Sequence, residues 1–330
     1  MAGVKSSAKA GASKHAGARQ IRRESFRGSL VGLALGDSLG ATMEGYRSHD
    51  LLIAYEEGRY DPGQMQVALW TDDTAMTVAT AQSIVACGGV DGEDMAKRYL
   101  VWYRTSGRGI GRAALRAMER LLNRVPWNEA GETGQWAAGN GVAMRVAPVG
   151  LFHAPSLEGL SEDVTTCGII THRNDEAINA GLVVAWVIAQ AAAGVLNLDR
   201  IIVDLIKYVP PCKTLDAVSR AQELAEEGVR PTKALPELGL GGGAAETVGT
   251  AFYCWLRNPA DLTDVLVTAV LGAGDADTRG AIAGAMAGAY LGEQALPARF
   301  TRHLDGYHAL TNLADRLYET TLAAWQGKGR

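Results

Sequence analysis

Apolar residues recur at three- and four-residue intervals along most of the chain, while runs of strict alternation are short. Ten segments read as helices on this pattern: residues 25–44, 73–87, 92–105, 111–125, 175–195, 198–209, 214–228, 244–258, 261–274 and 277–292. Several begin at Asp, Ser or Thr, whose side chains can accept from the orphan amides of a first helical turn. The pattern predicts an all-α globule with one compact multi-helix domain over residues 24–330. "YDPGQMQVAL" and "EGVRPTKALPELGLGGG" read as loops inside it, not as linkers. The longest apolar run, "LVVAWVIAQAAAGVL" from Leu182 to Leu196, contains Gln190 and falls short of the ~20 residues of a membrane span. It reads as a core helix.

Glycine complicates the helical picture. The chain holds 40 glycines, and two runs place them every fourth residue: Gly28, Gly32, Gly36 and Gly40, then Gly280, Gly284 and Gly288. Glycine inside a helix costs about 1 kcal/mol against alanine, so seven such positions need a reason. The spacing lines them up on one helix face, where another backbone can approach closely. Both stripes flank acids: Asp37 and Glu44 beside the first, Asp275 and Asp277 beside the second.

Those acids belong to a repeated motif. "WTDDTAMT" sets Thr71, Asp72 and Asp73 at the start of an alanine-rich helix, and "GDADTRG" sets Asp275, Asp277 and Thr278 at another. Each cluster alone reads as helix capping. If the two helix starts met, four carboxylates would repel one another and require cations. A ligand set made only of oxygens favours Mg²⁺ or Mn²⁺ over Zn²⁺, and such a cluster could hold two ions.

Composition narrows the functional classes. A net charge of −4 counts against nucleic-acid binding through bulk charge. Cys87, Cys167, Cys212 and Cys254 are widely spaced, which predicts reduced thiols in a cytoplasmic protein, with neither a disulfide frame nor a zinc site. Residues 1–23 are rich in Lys, Arg, Ala, Gly and Ser and read as a mobile basic tail. "SGRGIGRAALRAM" places Gly107, Gly109 and Gly111 before a helix start, where backbone amides can cradle a pyrophosphate. The alternative is a plain flexible loop. Gly139, Asn140 and Gly141 form a turn ahead of Arg145 in an apolar stretch. His153 and His303 read as structural.

These motifs together resemble the ADP-ribosylglycohydrolase family: "GLALGDSLGATMEG", "WTDDTAMT", "GNGVAMRVAPVG", "ITHRNDEAINAG" and "GDADT" follow in that family's order over about residues 26 to 295. The resemblance implies an all-α fold with two Mg²⁺ or Mn²⁺ ions and hydrolysis of the C1″ bond joining ADP-ribose to modified protein side chains. ADP-ribosylated protein is then the substrate and ADP-ribose a product. Thr71, Asp72 and Asp73 would ligate the ions from one side and Asp275, Asp277 and Thr278 from the other. Glu44 would lie beside them as a catalytic residue that helps position water or the scissile bond, with Asp73 and Asp277 also serving catalysis. Gly107, Gly109, Gly111, Gly139, Asn140, Gly141 and His172 would contact the substrate.

Two positions depart from the family's pattern. Ala137 stands where some members carry Asp or Ser, and Gly243 where many carry an aromatic ring beside the adenine; Glu246 and Thr247 are retained. Two other readings compete. An all-α Mg²⁺-dependent diphosphate enzyme would need an Asp-Asp-x-x-Asp set, and "DDTAM" lacks its third acid. A family-like domain could also bind ADP-ribose without hydrolysing it, or be purely structural.

Overall fold

The computed structural model describes residues 20–44 and 49–328. In chain order its helices are α1 (Arg23–Gly40), α2 (His49–Glu56), α3 (Asp72–Cys87), α4 (Gly92–Thr105), α5 (Arg112–Leu122), α6 (Ala147–Phe152), α7 (Leu160–Ile169) and α8 (Asp175–Ala192). They continue as α9 (Ile201–Tyr208), α10 (Lys213–Glu226), α11 (Pro231–Leu238), α12 (Ala244–Leu256), α13 (Leu262–Leu271), α14 (Ala276–Leu291), α15 (Ala298–Thr301) and α16 (Tyr307–Lys328). No strand occurs among the described residues; two isolated bridges join Glu132 to His172 and Gly139 to Gly243. The all-α expectation holds. None of the helices is long and apolar enough to cross a membrane.

The two glycine stripes face each other. Helices α1 and α14 run antiparallel through the centre, nearly every residue of each buried. Added Cβ atoms would strike across the contact: from Gly28 to the Gly288 carbonyl oxygen at 2.2 Å, from Gly32 to Gly284 at 2.4 Å, and from Gly36 to Gly280 at 2.0 Å. Any side chain larger than hydrogen would push the backbones apart. At the far end, a Cβ on Gly40 would lie 2.3 Å from the Asp277 Cα. The stripe thus delivers the end of α1 to the start of α14. Helices α8, α12 and α13 pack around α14, while α3 and α16 cover α1.

Helices α4, α8 and α13 start on ordinary side-chain caps. Asn174 Oδ1 accepts from the Glu176 amide at 2.9 Å and the Ala177 amide at 3.2 Å to open α8. Asp91 and Asp261 accept from the amides of Asp94 and Asp264 to open α4 and α13.

Several elements differ from the expected pattern. "RPTKALPEL", expected as loop, is α11: Pro231 fits the first helical position, and the Glu56 carboxylate accepts from the Thr232 amide at 2.7 Å and its hydroxyl at 3.0 Å. Helices α2, α6, α7, α15 and the long α16 were not among the expected segments. Residues 1–19 of the basic segment lie outside the described residues. Its last residues pack: Ile21 is buried, and the Arg22 guanidinium donates to the carbonyls of Ala191, Ala289 and Tyr290.

Candidate active site

Helices α3 and α14 begin side by side, with aspartates at matching places in their first turns. Asp73 and Asp277 are each two residues past the N-cap, Thr71 and Asp275 respectively. Both are buried, as is Asp72 at the lip. Thr278 Oγ1 donates to Asp73 Oδ2 at 3.4 Å, and Thr71 Oγ1 lies 3.1 Å from the same oxygen. The two sequence clusters, some two hundred residues apart, form one site.

Asp37 from α1 is a member that sequence reasoning left out of the site. It is fully buried and accepts from the Thr71 amide at 2.9 Å, the Thr74 amide at 3.0 Å, the Thr71 hydroxyl at 2.9 Å and the Thr74 hydroxyl at 2.6 Å. Thr71 makes no side-chain capping bond to its own helix. A carboxylate from another helix therefore caps α3, which corrects the simple capping reading of "TDDT". The signal was an acid set between Gly36 and Gly40 in an otherwise apolar helix.

One carboxylate oxygen each from Asp37, Asp73 and Asp277 falls within 4.8 Å of the others. Burial raises the proton affinity of all three, and repulsion from neighbouring acids adds to it at Asp73 and Asp277. Asp72 is pushed up to about 7, Asp277 to about 8, and Asp73 well above the usual carboxylate range. Asp73 Oδ1 is buried without a hydrogen-bond partner. Orphaned acceptors of this kind are rare in proteins. Several buried carboxyls, an unpartnered oxygen and two converging positive helix ends fit a hard divalent cation.

Asp72, Asp275, Asp277 and Thr278 line a cavity of about 730 Å³, within the range typical of small-molecule sites, while Asp37, Thr71 and Asp73 are buried and do not line it. Glu44, exposed at the end of the turn after α1, stands at its edge. Gly109 and Gly111 line one wall. Gly109 has φ +81°, and its missing Cβ leaves room for Asp72 Oδ1, which a methyl group would meet at 2.8 Å. The Gly111 amide, expected to be open for a phosphate, donates to Asp72 Oδ2 at 3.3 Å. Gly107 is not brought to the cavity. It follows the end of α4 at φ +58°, its amide donating to the Trp102 carbonyl, where glycine serves as a helix stop.

Gly139, Asn140 and Gly141 line the opposite wall with His172. Asn140 Nδ2 donates to Asp275 Oδ2 at 2.6 Å and to Thr247 Oγ1 at 3.0 Å, so it orients an acid of the cluster. Its amide donates to Gly242, and the Ala244 amide donates to Ala138, lacing two glycine-rich loops together. Arg145 is fully buried behind this turn and does not line the cavity. His153 is also away from it, its Nε2 bonded to Asp163 at 2.7 Å, as its structural reading required.

Trp136 went unnoticed in the sequence. It lines the cavity yet is 62% exposed, and the Arg112 guanidinium stacks 4.0 Å from its ring centre. Gly243 carries no ring, though an added Cβ there would meet nothing closer than 3.7 Å.

The family model described as ADP-ribosylglycohydrolase matches residues 18–326 of this chain. An uncharacterised protein of Archaeoglobus fulgidus is 32% identical over 305 residues, covering 90% of this chain and 96% of its own. The ADP-ribosylhydrolase ARH3 of Xenopus tropicalis is 30% identical over 334 residues, covering 89% and 95%. The ADP-ribosylarginine hydrolase Tri1 of Pseudomonas putida is 26% identical, covering 89% and 77%. Among solved structures, an ADP-ribosylglycohydrolase-related protein complex superposes with a TM-score of 0.67 at 30% identity, over 91% of this chain and 98% of that one.

Proposed function

The chain belongs to the ADP-ribosylglycohydrolase family, and from that premise we propose that it releases ADP-ribose from modified protein side chains by hydrolysing the C1″ glycosidic bond. The observation that carries the reading is the buried Asp73 oxygen without a partner, beside Asp277 at the floor of a cavity rimmed with glycine. Residues 24–330 act as the catalytic domain. The four thiols, none of them in a disulfide, suit the reducing cytoplasm.

Thr71, Asp72, Asp73, Asp275, Asp277 and Thr278 would hold two Mg²⁺ or Mn²⁺ ions, which supply positive charge to orient the ribose hydroxyls and polarise a water. The chain's own groups do the rest. Asn140 holds Asp275, and the Gly111 amide holds Asp72, so the acids are set in place before substrate arrives. Glu44, the exposed carboxylate at the edge, positions the water that attacks C1″ as the acceptor side chain departs with a proton. Gly109, Gly139 and Gly141 keep the walls free of side chains, so the pyrophosphate can approach backbone. Trp136, stacked with Arg112, offers the adenine a flat face in place of the ring missing at Gly243.

The Asp-Asp-x-x-Asp reading loses support, since the acids that join Asp73 come from α1 and α14 and none from later in α3. The test is a panel of proteins bearing ADP-ribose on arginine, serine and other acceptors, assayed for free ADP-ribose. Release from at least one linkage is expected; binding of ADP-ribose without release from any would leave a pure binding domain.

A further inference from the structure

Behind the cavity wall lies a short chain of polar groups that the proposed mechanism does not use. Arg145 is fully buried, with its guanidinium 5.4 Å from the Tyr99 ring centre. Among the described residues no carboxylate pairs with it. Its donors go instead to the Gly141 carbonyl, the Cys167 carbonyl at 3.0 Å and Thr171 Oγ1 at 2.7 Å. Thr171 is fully buried too, and its Oγ1 lies 2.7 Å from His172 Nδ1.

The direction of this chain is fixed by chemistry. An arginine only donates, so Thr171 Oγ1 accepts from Arg145 and keeps its own proton to give away. The acceptor in reach is His172 Nδ1. If Nδ1 carried a proton, the Thr171 hydroxyl hydrogen would be buried with nowhere to go, at a cost of about 1–3 kcal/mol. Nδ1 is therefore bare, and the ring proton sits on Nε2. No hydrogen-bond partner to Nε2 occurs among the described residues, and the ring lines the cavity. The same cation holds the other side of the ring, because it grips the carbonyl of Gly141. A Cβ on Gly141 would come within 2.5 Å of His172 Cε1.

We infer that Arg145 and Thr171 are positioning residues that lock His172 in its Nε2–H form, presenting one neutral hydrogen-bond donor to an acceptor oxygen of the cavity's occupant. The ring is then neither general base nor cation. Burial, followed by the nearby Arg145 charge, also pushes the ring down to about 3, in keeping with a neutral donor. The inference rests on the functional reading only for the occupant, ADP-ribose; the relay itself does not need it.

Histidine-¹⁵N-labelled protein tests the relay without substrate, by long-range proton–nitrogen correlation, with the His172 signals assigned by their loss in His172→Gln. The expected spectrum has a bare Nδ1 and a protonated Nε2 across roughly pH 5 to 8. A protonated Nδ1, alone or with Nε2, in that range would overturn the inference. Thr171→Val should release the lock, giving mixed tautomers and weakening ADP-ribose binding roughly five- to tenfold, while Thr171→Ser restores both. An unchanged pure Nε2–H form in folded Thr171→Val would also overturn it. If Thr171→Val does not fold, the wild-type spectrum decides. If wild-type protein fails to bind ADP-ribose, the functional reading falls, and the spectrum still decides the relay.

Discussion

Gly36 and Gly280 meet backbone to backbone: a Cβ on Gly36 would lie 2.0 Å from the Gly280 carbonyl oxygen. This contact sets how closely α1 approaches α14, and with it the distance between Asp37 and Asp277. Gly36→Ala or Gly284→Ala should destabilise the protein by about 1–3 kcal/mol or more through overpacking. Gly327→Ala, with nothing near its Cβ on the exposed end of α16, should be neutral or stabilising. Urea melts of the three variants check this; equal effects at all three positions would remove the glycine seam as the organiser of the site.

Asp37 caps α3 from a distance. Asp37→Ala leaves the Thr71 and Thr74 amides and the Thr74 hydroxyl without their acceptor, so a loss of at least roughly 1–3 kcal/mol is expected, together with weaker divalent-cation binding. Thr74→Ala removes only one of those donors and should cost less. Calorimetric melts with and without Mg²⁺ separate the two effects.

Glu132 gives a pH prediction. Hydrogen bonds first from Arg116, and then from the Thr133 amide, hold its carboxyl down at about 2, against an ordinary value near 4.5. A depressed carboxylate contributes stability above its unfolded pKa and loses it as pH falls through the folded value. Wild-type stability should therefore decline between about pH 4.5 and about pH 2. Glu132→Gln should be less stable at neutral pH and show a shallower decline. The segment matters to the site because the Glu132 amide donates to the Thr171 carbonyl, and its carbonyl accepts from the Arg173 amide, bracketing His172. Urea midpoints against pH are the measurement.

Trp136 and Gly243 make a reciprocal pair of tests. Trp136→Ala should weaken ADP-ribose binding roughly 5- to 100-fold, the range for losing an aromatic–base stack. Gly243→Tyr has room for its Cβ and should recover part of that loss in the double variant. An unaltered affinity in Trp136→Ala would place adenine elsewhere in the cavity.

Much of this was legible in the chain. Helical spacing fits the half-exposed α4 and the more deeply buried α3, α8 and α14, whose starts or ends carry Asp, Asn or Gly. It passed over α16, which packs across α1, α3 and α6 with polar residues interspersed along its length. It also passed over α11, where two prolines suggested a loop although Pro231 sits at the one helical position that suits it. The paired acids were visible because the same motif occurs twice. Asp37 was not, because a capping partner across 34 residues leaves no local spacing. Gly107 lies outside the cavity lining, which the chain hides for the opposite reason: a glycine that ends a helix looks the same in sequence as one that cradles a phosphate.

The most direct measurement is release of ADP-ribose from an ADP-ribosylated protein by wild-type and Asp73→Asn protein, each first stripped with a chelator and then given Mg²⁺ or Mn²⁺. The account predicts no release when stripped and recovery on adding cation for wild type, with none for folded Asp73→Asn. Undiminished release by stripped wild type, or by Asp73→Asn, would contradict it.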